Sequence, residues 1–441
     1  MKIESWQSLV HVCRRWRCLV FGSPRRLNLR LCCIPRTCSR QPLDIWPALP
    51  LFIRGDLSDE SVDNVIADLE HSDRICQIKL VWCSSYVLIE KLERFWTAMQ
   101  VPFPELAFLY LSGSHVNLPD SFLRGTAPRL RSLYLIGVPF PGIPKLLLSC
   151  THLVHLHLKY IPYSGYISPE VMATCLSMLT SLESLQLELE SRSSCRSSPD
   201  QESQHSPSPI RFILPALLSF SFGGVNEYSE DLLSRIDTPR LYQLSITFFW
   251  EIRFDTTELN QFISRTPIFG PYDEARLMVE KCSGLIRLQS HHEPSDNGMV
   301  EIKIRSPMSN RELSSLARIC TASLRHLLTM ETLYIHEDFY SKSSFKDDIG
   351  NTFWLNILLA FTTVKYLYLS KASALCIAPV LQELTMLPTL QSIFLEGFQP
   401  SEPVHDGIRQ FISARQLIDR PIAISAWERY PKCETEWEVY Y

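Results

Sequence analysis

One template recurs along this chain and constrains its fold more than anything else: Leu-x-x-Leu-x-Leu, or close apolar substitutes. It reads Leu106-Leu109-Leu111, Leu130-Leu133-Leu135, Leu153-Leu156-Leu158 and Leu182-Leu185-Leu187. It continues as Leu217-Phe220-Phe222, Leu241-Leu244-Ile246, Met330-Leu333-Ile335, Val364-Leu367-Leu369 and Leu390-Ile393-Leu395. Ile75-Ile78-Leu80 reads as an earlier copy, and degenerate copies are expected near Arg276–Val279 and Val300–Ile304. The first six copies begin 24, 23, 29, 35 and 24 residues apart, which is one supersecondary unit per step.

Punctuation around the template tells what the unit is. Pro104, Pro128, Pro215, Pro239 and Pro388 each stand two residues before a first apolar position. Proline cannot continue a helix and is tolerated at a strand's first residue, so it marks a helix-to-strand switch. Gly113, Gly137, Gly224 and Gly397 stand two residues after a last apolar position, where a departing chain needs a permissive backbone. Between the strands, Pro169–Leu179, Glu230–Ile236, Arg311–Cys320 and Ala378–Met386 read as helical, with Ser168 as an N-cap ahead of Pro169. Strands joined by helical crossovers pair in parallel.

These cores resemble the leucine-rich repeat family over roughly residues 100–400. The resemblance implies an α/β fold: an irregular leucine-rich-repeat-like solenoid, parallel strands with helices on the convex side, and a short N-terminal helical segment. The family's usual Asn or Cys after the strand is replaced here by Ser114, Val138 and Ile161. The expected organisation is a partial helical module over 1–31, degenerate first repeats or a connector over 32–100, the array over 101–400, and a cap over 401–441. A polar Ser/Pro-rich stretch, Ser191–Pro209, should be a disordered insertion, with shorter loops at Glu293–Gly298 and Ser341–Asp348. Trp427, Tyr430, Trp437, Tyr440 and Tyr441 are expected to pack over the final repeat.

At the N-terminus, Trp6, Leu9, Val10, Cys13, Trp16 and Val20 fall on one helical stripe that Gly22-Ser23-Pro24 ends. On that pattern Cys13 is a small buried hydrophobe. The string from Trp6 to Val20, with Val-Cys-Arg-Arg-Trp-Arg at its centre, resembles the last helix of an F-box, especially in fungal proteins that follow it with irregular repeats. F-box proteins are substrate-recognition subunits that dock on a Skp-family adaptor of a cullin–RING ubiquitin ligase. The resemblance implies that Trp6, Leu9, Val12, Cys13, Trp16 and Leu19 belong to this helix, some packing inside the module and some facing the adaptor. The opening Leu-Pro-x-Glu segment and two helices of an F-box do not precede Trp6, so this is expected to be a truncated or remnant module. Two other readings stay open: a cap over the end of the array, and a mitochondrial presequence, since eight arginines and no acid lie between Glu4 and Asp44.

If the triplets are strands, the residue between the last two apolar positions points away from the core. Those residues are Tyr110, Tyr134, His157, Gln186, Ser221, Ser245, Tyr334, Tyr368 and Phe394. Tyrosine is enriched at protein interfaces, so this column, expected on the concave side, is the candidate partner-binding surface, with Tyr110, Tyr134, His157, Gln186, Tyr334, Tyr368 and Phe394 its principal members.

The remaining features narrow the function. Lys plus Arg is 43 and Asp plus Glu 47, a balance with no footprint for nucleic acid. No apolar run reaches the ~18 residues of a membrane helix. The 14 cysteines follow neither disulfide nor zinc spacing, and no secretory signal precedes them. Nucleophile-elbow, phosphate-loop, dinucleotide and zinc-protease motifs are absent. His155 and His157 share a strand face but have no acidic or Cys partner nearby in sequence, so no metal or cofactor is expected. No enzymatic activity is expected, and the F-box resemblance implies a cytoplasmic or nuclear substrate-recognition subunit of a Skp–cullin–F-box type ligase, with a Skp-family adaptor and an unknown protein target as partners. The alternative is a leucine-rich-repeat scaffold with no ligase link.

Overall fold

The computed structural model describes residues 12–22, 30–34, 49–82, 89–113, 117–190, 211–249, 256–270, 272–280, 283–290, 298–305, 314–322, 329–337, 351–381, 386–398 and 406–428. The chain forms two compact units, one of residues 1–220 with 235–239, the other of 221–234 with 240–441.

In the first unit the strands are β1 (Leu31–Cys33), β2 (Leu51–Leu57), β3 (Ile75–Trp82), β4 (Phe108–Ser112), β5 (Ser132–Ile136), β6 (His155–Ile161) and β7 (Ser184–Leu189). They pair in chain order and all in parallel. A small separate parallel pair joins β8 (Phe212–Ile213) to β10 (Ile236–Asp237), and the fifth triplet falls on β9 (Ser219–Gly224), whose residues from 221 on belong to the second unit. The register puts equivalent triplet residues opposite one another: Ile78, Leu109, Leu133, Leu156 and Leu185 form one continuous row.

The second unit holds β11 (Gln243–Phe249), β12 (Glu274–Glu280), β13 (Ser283–Gln289), β14 (Met299–Arg305), β15 (Thr332–Glu337), β16 (Tyr366–Leu369), β17 (Ser392–Glu396) and β18 (Ala423–Trp427). The order is β11-β14-β13-β12-β15-β16-β17-β18. The two expected degenerate copies are strands β12 and β14, but the expectation of parallel pairing throughout is corrected here. Strand β13 runs antiparallel to both of them. Two residues separate β12 from β13, and so short a link permits a hairpin but not a parallel crossover.

All three apolar positions of all nine copies are buried. Each fully buried leucine contributes roughly 1.5–3 kcal/mol, and in-register neighbours supply the other wall of each other's pocket. Helices lie between strands: Pro169–Ser177 and Ser314–Ala322 close to the expected places, Asn226–Arg235 and Lys371–Leu381 starting earlier than expected, together with Val62–Leu69, Ile89–Ala98, Ile143–Ser149, Thr257–Arg265, Asn351–Leu358 and Asp406–Leu417. Their buried residues, such as Leu146, Leu147, Met172, Leu176, Ile357 and Ile377, belong to the same core as the triplets. Each unit is thus a solenoid-like array of strand–helix rungs, interrupted in the second by the antiparallel strand β13.

Local details refine the sequence reading. Ser168 does cap its helix, accepting the Val171 N–H at 3.4 Å. The helix expected over Ala378–Met386 begins instead at Lys371, because Ser370 at the end of β16 accepts the Ser373 N–H on its hydroxyl and starts the helix at once. The prolines do not open strands. The Leu106 N–H donates to Phe103, Leu130 to Ala127, Leu217 to Leu214 and Leu390 to Leu387. Pro104, Pro128, Pro215 and Pro388 therefore occupy the second place of a tight turn, where a fixed φ is an advantage. The first leucine of the template closes this turn. Gly137 and Gly397 have the positive φ expected of strand exits, but Gly113 does not. Its constraint is steric: a Cβ there would stand 2.7 Å from Trp82 Cβ.

Candidate functional site

Residues alternating with the triplets lie on the opposite face of each sheet. In the first unit the register aligns Arg54, Lys79, Tyr110, Tyr134, His157 and Gln186 as one row across β2 to β7. All are at least partly exposed. The rings form a chain: Lys79 Nζ lies 5.0 Å from the Tyr110 centroid, Tyr110 and Tyr134 are 5.9 Å apart, and Tyr134 and His157 4.5 Å. Phe108, one row over, adds a contact to Tyr134 at 5.4 Å.

His157 Nε2 and Ser184 Oγ share a hydrogen bond of 3.0 Å. Burial, with Lys159 and His155 beside it, pushes the His157 imidazole down to about 4, so the ring is neutral at pH 7. The expected alignment of His155 and His157 on one face is found, with centroids 6.5 Å apart. Among the described residues no cluster of three metal-ligating side chains forms there or elsewhere.

In the second unit an analogous row runs through Ser245, Glu301, Arg287, Arg276, Tyr334, Tyr368, Phe394 and Ser425. The antiparallel strand does not break it, because the side-chain period of two is preserved in either strand direction. Tyr334 and Tyr368 stack at 4.3 Å and 18°, and Tyr368 and Phe394 at 4.3 Å and 6°. Trp427 stands edge-on to both tyrosines, held by a 3.1 Å bond from Nε1 to the Leu369 carbonyl. At the other end the Arg276 guanidinium lies 5.1 Å from the Tyr334 centroid while donating to the buried Glu274 carboxylate. Burial first, then Glu274, pushes the Tyr334 phenol up to about 12. Arg287 donates through two nitrogens to Glu301, and Ser245 donates to the same carboxylate.

The structure thus brings Tyr110, Tyr134, His157 and Gln186 together in one row, and Tyr334, Tyr368 and Phe394 in another. Sequence reasoning missed Arg54, Lys79, Arg276, Arg287 and Glu301, and placed Trp427 over the final repeat rather than against Tyr334 and Tyr368. Alternation alone would have placed Arg276 and Glu301, had the hairpin been recognised.

Of the N-terminal helix, residues Arg14–Gly22 are described, while Trp6 and Leu9 lie outside the described residues. Val20 is 2% exposed, whereas Val12, Trp16 and Leu19 are 65%, 48% and 60% exposed. Cys13 is also exposed, which corrects its expected burial. Among the described members of the apolar stripe, only Val20 is buried in the core. Trp427 is the one described member of the expected C-terminal aromatic group and takes part in an extra rung, β18. Tyr430, Trp437, Tyr440 and Tyr441 lie outside the described residues, as do Ser191–Pro209 and Ser341–Asp348.

No protein-family model matches this chain, and no curated protein does. Among solved structures, the leucine-rich repeat-containing protein LegL7 from Legionella pneumophila aligns at 11% identity with a TM-score of 0.28, covering 89% of this chain and 98% of that one.

Proposed function

We propose that this chain is a non-enzymatic recognition subunit of a Skp–cullin–F-box type ubiquitin ligase, acting in the cytoplasm or nucleus. The sheet faces hold a protein target and the N-terminal helix meets a Skp-family adaptor. The observation that carries the binding half is the pair of in-register aromatic rows. Ordered tyrosines and phenylalanines, partly exposed and already locked in position by their neighbours, offer large contact area at little entropic cost. The adaptor half is supported by the F-box-like string, by Trp16 and Leu19, apolar side chains exposed on the helix Arg14–Gly22, and by Val12, exposed just before it.

The test is co-purification of the full chain with a Skp-family adaptor. A stoichiometric complex, lost on Trp16→Ala, is the expected result. A complex that survives Trp16→Ala removes the helix from the interface, and no complex at all removes the ligase link. The aromatic rows do not depend on that helix, so in the latter case the chain is a leucine-rich-repeat scaffold with a protein-binding face alone.

A further inference from the structure

The row on the first unit is chemically lopsided. Its rings end on two cations, Arg54 and Lys79, which are register partners on β2 and β3. Among the described residues neither makes a hydrogen bond or ion pair to a carboxylate. The nearest acid in sequence on that face is Asp56, two residues along β2, and it forms no ion pair with either. Contrast the second unit, where Arg276 and Arg287 are each neutralised by a glutamate, Glu274 and Glu301. Two like charges placed side by side repel, and a fold that keeps them together without an internal counterion is open to an external one. Burial, with Arg54 beside it, lowers the Lys79 ammonium below its usual range, as expected of a cation lacking an anion.

We propose that Arg54 and Lys79 anchor an acidic side chain of an extended, unphosphorylated partner peptide whose aromatic or apolar neighbours rest on Tyr110 and Tyr134. The inference rests on the reading of this face as a protein-binding surface and adds the chemistry of the partner. Charge complementarity selects the carboxylate, and the adjoining rings select the neighbours. Dimensions agree. From β2 to β6 the row crosses four strand spacings, roughly 19 Å, which an extended peptide covers in about six residues. His157 is neutral at pH 7 and adds no charge, so the cationic end alone sets which way the peptide lies.

Fluorescence anisotropy of the full chain at low salt tests this, with a labelled peptide of alternating glutamate and tyrosine, about twelve residues long, as probe. Binding is expected to weaken about tenfold or more in Arg54→Glu/Lys79→Glu, and to weaken as salt is raised. A lysine–tyrosine peptide is expected not to bind. Thermal unfolding of the variants checks folding, and Arg54→Gln/Lys79→Met, which removes charge without reversing it, is expected to show a smaller loss in the same direction. If Tyr110→Ser/Tyr134→Ser abolishes binding but the charge variants do not weaken it, the acidic anchor is overturned and the binding face survives. If neither set changes the affinity, both are overturned. Absence of binding by the glutamate peptide, equal binding by the lysine peptide, or binding only when phosphoserine replaces glutamate each overturns the acidic anchor.

Discussion

The rings of Tyr368 and Phe394 lie face to face, 4.3 Å between centroids and 6° between planes. They do so because β16 and β17 pair in parallel with these residues opposite one another, both turned from the core. Ile393, one residue earlier, points the other way and is fully buried. Two neighbours in sequence should therefore respond very differently. Phe394→Ala loses one cross-strand ring contact on a half-exposed face, about 1 kcal/mol. Ile393→Ala opens a cavity in the core and should cost about 3 kcal/mol or more. Urea unfolding of both variants checks this, and equal losses would contradict the sidedness of the strand.

Arg415 is a buried charge that nothing in the sequence pattern announces. From the helix Asp406–Leu417 its guanidinium donates to the carbonyls of Met386 and Leu387 and reaches Pro388 at 3.5 Å, with Cζ 5.2 Å from the Phe411 centroid. It satisfies the carbonyls of the tight turn that opens the preceding rung. Arg265 does the same for the Leu233 carbonyl while lying 5.3 Å from the Phe262 centroid. Arg415→Met keeps the aliphatic packing but removes the donor to the Met386 carbonyl, while the Leu387 carbonyl keeps the Leu390 N–H, with an expected loss of about 1–3 kcal/mol in chemical unfolding.

Glu230 joins one rung to the next. Its carboxylate accepts the N–H groups of Glu258, at 2.7 Å, and Leu259, at 3.1 Å, at the start of the helix Thr257–Arg265. Those donors have no partner inside their own helix, and the positive end of the helix favours a carboxylate. Glu230→Ala should cost about 1–2 kcal/mol. Hydrogen exchange at Glu258 and Leu259 should accelerate selectively, which a uniform loss of protection would contradict.

His157 sets a pH dependence. Its imidazole titrates near 4 in the folded chain against 6.5 unfolded. Below 6.5 the unfolded chain binds the proton and the folded chain does not, so this residue opposes folding as pH falls from 6.5 towards 4. Its slope is at most about 1.4 kcal/mol per pH unit. Above 6.5 the residue contributes no pH dependence. His157→Gln, which can still bond Ser184, should flatten the stability profile between those values, and an unchanged slope there would count against burial as the cause.

The rung cores were legible because each triplet carries its own register: three apolar residues at a fixed spacing have one buried solution on a strand. The aromatic rows followed from alternation, which needs no knowledge of neighbours. What escaped the sequence depended on partners distant in the chain. Arg54 and Lys79 are ordinary surface cations until register sets them side by side. Strand β13 was missed because its run, Leu285-Ile286-Arg287-Leu288, does not repeat the template, and its direction is set by the short link to β12. Gly113 is needed because Trp82 lies behind it, which no local signal reports.

The rung order itself can be tested by disulfide trapping. Tyr110 and Tyr134 pair across β4 and β5, and Tyr134 pairs with His157 across β5 and β6. Neighbouring strands lie about 4.8 Å apart, within the range a disulfide spans, while strands two apart lie near 10 Å, beyond it. Mild oxidation of Tyr110→Cys/Tyr134→Cys, with peptide mapping by mass spectrometry, should give the 110–134 bridge rapidly, and Tyr110→Cys/His157→Cys should give no 110–157 bridge. No bridge in the first variant, or equal bridging in both, would contradict the stacking of these rungs.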